Sequence, residues 1–346
     1  MSFEQLLDGK VPIIQAPMAG GISTSELVVA VANAGGIGSF GFGYSTPAKI
    51  EQDLRAAQEH TEGLINTNFF IFKELDAPSE QAFEEAVRAL KALPWGDRAG
   101  FGEVLPPYFP SLDEQLEPVW EHKPQILTFH FGVPSEEVFA KAKSLGIVIG
   151  ITATSLSEAQ QIQASGADFV VAQGIEAGGH RGTFHPEAVG DERLSTADLT
   201  KLLCDRITLP IVSAGGIMTA TDAASMLSLG AAAVQLGTAF LCCDEAGTED
   251  SYRRYLLEQS GRKTVFTKGF SGRSALGIET EFTSRMEGKP TLPFPIQNTL
   301  TGPLRNKAAA ADNGEYQSLW AGTGFARVRA LPAQRLISQI MDEFET

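Results

Sequence analysis

Eight short apolar runs, each followed by a stretch with helical spacing, restrict the fold of this chain more than any other feature. They fall at residues 11–16, 36–40, 64–69, 125–130, 147–151, 168–172, 210–213 and 232–236. Most are apolar throughout rather than alternating, as parallel strands buried on both faces must be. Helix starts follow several of them. Ser23 stands three before Glu26, Ser155 before Glu158, Ser195 before Asp198 and Thr219 before Asp222, the spacing at which a cap and a third-position acid satisfy the first free amides of a helix. Strand, short loop, capped helix and strand repeat with right-handed crossovers. Eight such units predict an α/β fold, a closed (β/α)8 TIM barrel rather than an open sheet. At 346 residues the chain has room for that barrel and for extra segments.

Two stretches interrupt the rhythm. Residues 93–123 are rich in proline, glycine and aromatics and read as a long loop over the barrel mouth. Residues 244–295 gain charge through Arg253, Arg254, Arg262, Lys263 and Lys268 and read as a smaller substrate-side domain. The division is then 1–243 with 296–346 for the barrel and 244–295 for the smaller domain. Residues 331–344 have the pattern of an amphipathic helix closing the ring.

Charge and cysteine usage narrow the class. A net charge of −15 repels polyanions, so nucleic acid is an unsuitable partner and any anionic ligand needs local features to hold it. The cysteines, Cys204, Cys242 and Cys243, form no CxxC pair and suit a reducing compartment as small buried residues. The first ten residues carry Glu4 and Asp8 and lack an apolar signal core. The uncharged stretch 27–48 contains Asn33 and five glycines, which fits helix, turn and strand better than a membrane span. The expectation is a soluble cytoplasmic protein.

In a barrel, chemistry sits just after each strand. After the first comes Gln15-Ala16-Pro17-Met18-Ala19-Gly20-Gly21, a turn that lets backbone approach a flat ligand. The third ends near Asn68, an amide suited to a heterocycle's edge. After the sixth, QGIEAGGHRG sets His180 and Arg181 among four glycines. A histidine there can exchange a proton near neutral pH. After the seventh and eighth come SAGGI and QLGTAF, glycine-rich turns at helix starts whose amides suit a phosphate. A dinucleotide fingerprint is lacking, since Gly41-Phe42-Gly43 has no third glycine. Neither HExxH nor GxSxG occurs, so no metal is expected and no serine nucleophile elbow. His130 reads as a mouth-lining or core residue, His60 and His122 as solvated, and His185 as a loop residue.

PIIQAPMAGGIS, INTNFF, QGIEAGGHRG, PIVSAGGI, QLGTAFL and the late SLWAG, spread over about residues 11–325, together resemble the nitronate monooxygenase family. The resemblance implies an FMN-binding barrel. By it, Met18 and Asn68 contact the isoalloxazine, Gln173 and Gly178 lie beside the flavin, and Gly216, Gln235, Leu236, Gly237 and Thr238 hold ribityl and phosphate. It makes His180 catalytic, either as a protonated or hydrogen-bonding partner of the anionic substrate, helped by Arg181, or as the base toward a neutral nitroalkane. The implied reaction oxidises small alkyl nitronates, such as propionate 3-nitronate, with O2 to carbonyl compounds and nitrite through a flavin semiquinone. The resemblance thins in 93–123 and 244–313, and it leaves open the natural nitronate and whether the protein is a homo-oligomer. Two other readings stay open: an NAD(P)H-dependent enoyl-thioester or quinone reductase on the same barrel, and a non-catalytic barrel that binds a phosphate ligand.

Overall fold

The computed structural model describes residues 2–96, 100–186 and 191–344. Its strands in chain order are β1 (Ile13–Gln15), β2 (Ile37–Gly41), β3 (Leu64–Phe70), β4 (Ile126–His130), β5 (Val148–Ala153), β6 (Phe169–Gln173), β7 (Gly179–His180), β8 (Ile211–Ala214), β9 (Ala233–Leu236), β10 (Thr264–Thr267) and β11 (Ala275–Ile278). All but β7, β10 and β11 close into one parallel barrel, β1-β2-β3-β4-β5-β6-β8-β9. All eight barrel strands coincide with the apolar runs of the sequence. Gln15 lies opposite Leu236 where β1 meets β9 and shuts the ring. Asn68 lies opposite Gly41 on one side and Thr128 on the other.

The lower end of the barrel is filled and the upper end is not. Phe3, on the short helix Phe3–Leu7, stacks on Phe169 with ring centroids 4.1 Å apart. Ile14, Ile37, Leu64, Ile126, Val148 and Val212 pack around that pair. Burying such side chains contributes about 1.5–3 kcal/mol each. Toward the C-terminal ends the interior turns polar. Ser39 N donates to Gln15 Oε1 at 2.9 Å, and Asn66 Nδ2 donates to Ser39 Oγ at 3.1 Å. Thr128 Oγ1 donates to Asn66 Oδ1 at 3.0 Å. A satisfied polar layer therefore separates the packed floor from the mouth.

The helix Ala333–Phe344 buries Ala333, Leu336, Ile337 and Ile340 against the helices Ser25–Asn33 and Ala220–Ser228, as the amphipathic pattern requires. Three expectations change. The first barrel helix is capped by Thr24, whose Oγ1 accepts from Leu27 N at 3.0 Å, and not by Ser23. Ser23 turns inward, accepting from Met18 N at 3.0 Å and Gln15 Nε2 at 3.1 Å, so it fixes the turn after β1 instead. The stretch 93–123 is not all loop. It contains the helix Leu112–His122, which packs on the helix Pro47–Gln58 through buried Leu116 and Val119. Pro118 inside that helix disguises it, because proline is the strongest helix breaker. His122 is likewise less solvated than its neighbours suggest. Its Nε2 is 2.7 Å from Glu51 Oε2 and its Nδ1 is 2.9 Å from Gln58 Oε1, across the same helix pair.

A cap covers one side of the mouth. β7, β10 and β11 form an antiparallel sheet with β11 central, pairing Ala275 with His180 and Phe266 with Leu276. Behind it, Phe270 stacks on Phe282 at 3.9 Å. The same apolar cluster takes in Leu90, Leu292, Ile296, Leu300, Leu304 and Tyr316. Those residues come from the helices Glu80–Lys91 and Ile296–Ala310, from the segment between them and, for Tyr316, from the 3-10 turn that follows.

Candidate active site

The upper polar layer opens into a cavity of about 460 Å³, within the range of small-molecule sites. Its wall is made of residues just past the barrel strands on one side and of the cap on the other. Met18, Asn68, Gln173, Gly178, His180, Gly216, Gln235, Gly237 and Thr238 all line it. Leu236 does not. Its side chain is buried in the apolar cluster between β9 and the outer helices, the inevitable fate of alternate residues on a strand.

On the barrel side the backbone comes very close to itself. A Cβ on Gly178 would lie 2.5 Å from Ala321 C and Gly322 N, so only glycine fits there. Gly216 adopts φ +69°, open to glycine and rarely to others. Gly322 N donates to Thr238 Oγ1 at 3.0 Å, which ties the late SLWAG segment to the turn after β9. The helix after β8 starts at Thr219 with a full capping box. Asp222 Oδ2 accepts from Met218 N at 2.9 Å and Thr219 N at 3.0 Å. Arg327 pairs with Asp222 at 2.8 Å and donates to Gly216 O at 3.1 Å, placing a cation beside this turn. Asn68 Nδ2 donates to Thr128 Oγ1 at 3.0 Å, which fixes the amide and leaves its Oδ1 as an acceptor.

On the cap side, β7 carries His180 between barrel and hairpin. Gln173 braces the loop from both ends: its Oε1 accepts from Gly182 N at 2.7 Å and its Nε2 donates to His180 O at 3.0 Å. His130 Nε2 donates to the same carbonyl at 3.3 Å. The His180 ring sits among Phe294, Trp320 and Phe131, with centroids 5.0, 5.6 and 6.1 Å away. Its Nε2 is 2.8 Å from Ser271 Oγ. Burial pulls the imidazole down to about 3, and the charge of Arg273, the nearby His130 and Arg305 act the same way. His130 is also held at about 3, first by burial and then by Arg273. Both rings are therefore neutral at ordinary pH.

Arg181 does not face the cavity. It is 3% exposed, forks onto Asp191 with Nε and Nη2 both at 2.9 Å, and donates through Nη1 to Gln173 O at 2.5 Å. Consecutive residues of an extended segment point to opposite sides, so turning His180 inward turns Arg181 away. Two arginines that the sequence reading did not single out supply the positive field. Arg273 lies over the Phe131 ring at 3.8 Å and donates to Arg181 O at 3.3 Å. Arg305, on the helix Ile296–Ala310, lines the cavity itself. Its hydrogen-bond partners among the described residues are neutral: Asn298 O at 2.7 Å, Asn298 Oδ1 at 3.0 Å, Thr301 Oγ1 at 3.3 Å and Ser318 Oγ at 3.5 Å. Burial lowers its pKa, and Tyr44, another lining residue, opposes that shift. Among the described residues no group of three or more His, Cys, Asp or Glu could hold a metal, and no helix is long and apolar enough to cross a membrane.

The family model described as nitronate monooxygenase matches residues 4–343. A nitronate monooxygenase of Paraburkholderia phytofirmans is 41% identical over 96% of this chain and 92% of that protein. One of Pseudomonas aeruginosa is 38% identical over 99% of this chain and 98% of that protein. The solved structure of nitroalkane oxidase from Streptomyces ansochromogenes superposes with a TM-score of 0.91 at 34% identity, covering 98% of this chain and 97% of that one.

Proposed function

Because the chain belongs to the nitronate monooxygenase family, an oxidoreductase family, we propose that it binds FMN and oxidises small alkyl nitronates with O2 to a carbonyl compound and nitrite. The observation that carries this reading is a neutral, aromatic-walled His180 facing a glycine-built cradle across one cavity, with a cation, Arg305, on the same wall.

The residues present fit FMN. Gly178 and Gly322 both line the cavity, and Gly178 packs so tightly on the 321–322 backbone that no Cβ fits, so bare backbone is offered to a flat ring system. Asn68 Oδ1 is an acceptor for a ring N–H, with Met18 lining the same face. Gln235, Gly237, Thr238 and Gly216 are available to ribityl and phosphate, and Arg327 adds charge beside that turn. When bound, FMN supplies the electron acceptance from the substrate and the passage of electrons to O2. The protein binds, orients and moves a proton. The charge of a nitronate is met by Arg305 and, nearby, Arg273, rather than by an imidazolium, because His180 is neutral. Tyr44, Phe70 and Trp320 give this wall an aromatic surface. Toward a neutral nitroalkane, His180 is the group that takes the α-proton.

The test is oxygen uptake and nitrite release by the purified flavoprotein with propionate 3-nitronate and a simple alkyl nitronate, without NAD(P)H. Both signals are expected. Silence with both substrates, together with rapid anaerobic bleaching of the flavin by NADH or NADPH, would transfer the assignment to a reductase.

A further inference from the structure

We infer that Ser271 is a positioning residue: it decides which nitrogen of His180 carries the proton and so leaves Nδ1 as the base toward neutral nitroalkanes. The inference rests on the function proposed above and adds to it the source of the base.

Ser271 lies in the turn between β10 and β11 and is fully buried. Its Oγ has three neighbours of unlike character: His180 Nε2 at 2.8 Å, Arg273 O at 3.1 Å and the Arg273 N–H, which donates to it at 3.4 Å. A hydroxyl has one proton to give. A carbonyl oxygen can only accept, whereas an imidazole nitrogen can do either. All three contacts are hydrogen bonds in one arrangement alone: Ser271 donates to Arg273 O, and its two lone pairs accept from Arg273 N–H and His180 Nε2–H. In the other tautomer the hydroxyl turns to Nε2, and the oxygen pair at 3.1 Å becomes lone pair against lone pair in a buried place.

The rest of the site removes the other freedoms of His180. Gln173 and His130 grip its carbonyl, β11 pairs with its backbone, and three aromatic rings confine the imidazole. What Ser271 adds is the tautomer. Nδ1 then carries the lone pair, and it meets no hydrogen-bond partner among the described residues. In the reaction the α-C–H bond of the nitroalkane breaks and its proton goes to Nδ1. The electron pair enters the C=N bond, and the negative charge moves to the two nitro oxygens. The imidazolium keeps its Nε2–H bond to Ser271. A preformed nitronate needs no such step, so Ser271 should matter to one substrate form and not to the other.

The experiment uses the holoenzyme, with nitrogen-edited proton NMR of the imidazoles and His180→Asn to assign the signal, followed by Ser271→Ala and Ser271→Thr. In the wild type His180 should show Nε2–H with an unprotonated Nδ1. Ser271→Ala should mix the tautomers and lower kcat/KM for a nitroalkane roughly tenfold or more, within the 10²–10⁴ that the whole proton transfer supplies. Its effect on a nitronate should be less than about threefold, and Ser271→Thr should restore the nitroalkane rate. An Nδ1–H tautomer in the wild type overturns the inference. So do equal losses on both substrates in Ser271→Ala with the tautomer unchanged, which is the signature of a merely structural hydroxyl. If the wild type turns over neither substrate, the proposed function fails, and the tautomer signal still decides the part played by Ser271.

Discussion

The two sides of the cavity are made in different ways. The barrel side is built mainly from the turns that follow the strands, several of them glycine-rich because backbone must approach backbone or ligand: Gly178 against the late Ala321 and Gly322, and Gly216 at φ +69°. The cap side is assembled from residues far apart in the chain. His180 meets Ser271 across 91 positions, and Arg273 reaches Arg181 O across 92. Damage on the barrel side should therefore remove the cofactor, and damage on the cap side should alter rate or substrate preference while the flavin stays bound.

The largest expected effect tests the cap. His180→Asn should lower kcat/KM for a nitroalkane by roughly 10²–10⁴ and for a nitronate much less, with flavin content unchanged. Steady-state rates on the two substrate forms check this, and equal losses would deny His180 the role of base. The next tests the barrel side. Gly178→Val sets a side chain against two backbone atoms at 2.5 Å, which cannot yield as a flexible side chain would. The purified variant should be largely colourless and less stable by about 1–3 kcal/mol. The flavin-to-protein absorbance ratio and a thermal melt measure both. Full flavin occupancy would mean that the cradle holds something else.

This contrast also explains what could be read from the sequence. The eight strands were legible because parallel strands buried on both faces leave an unbroken apolar run. The glycine turns were legible because a close approach demands glycine whatever the surroundings. Ser271, Arg273 and Arg305 had no comparable mark: each is a single polar residue whose importance arises only when the hairpin and the helix Ile296–Ala310 fold over the mouth. Arg181 misled for a related reason. Adjacency to His180 in sequence suggested a shared role, but the extended backbone of β7 separates their side chains, and Arg181 locks the loop through Asp191 instead. The helix Leu112–His122 was hidden by Pro118, a local signal outweighed by burial of Leu116 and Val119.

Arg305 sharpens the comparison from within the cap. It lines the cavity, and its hydrogen-bond partners among the described residues are neutral, so its charge is available to an anion. Arg305→Met keeps much of the apolar stem and removes the charge. KM for a nitronate should rise about tenfold, equivalent to about 1.4 kcal/mol, with kcat nearly unchanged, since the ground state is already anionic. KM for the neutral nitroalkane should move little. A fall in kcat on both forms would place Arg305 in the chemistry rather than in binding.

The smallest expected effect concerns stability and pH. His130 and His180 are held at about 3 in the folded protein, against an ordinary value of about 6.5 in the unfolded chain. Between those values the unfolded chain binds more protons than the folded one, so stability falls as pH drops from about 6.5 toward 3 and is complete above that window. Half-buried Asp222 contributes to the same acid loss, since its partial burial, which raises its pKa, is outweighed by the Met218 amide and Arg327, which lower it. The histidine share is isolated by difference. His180→Asn removes one of the protons taken up on unfolding, so its melting temperature should decline less steeply with acidification than that of the wild type, while the two curves run parallel above about pH 7. Parallel curves through the whole range would show that His180 titrates alike in the folded and unfolded states. The imidazole could then be charged in the cavity, and the nitronate would be met by a cap histidine instead of by Arg305.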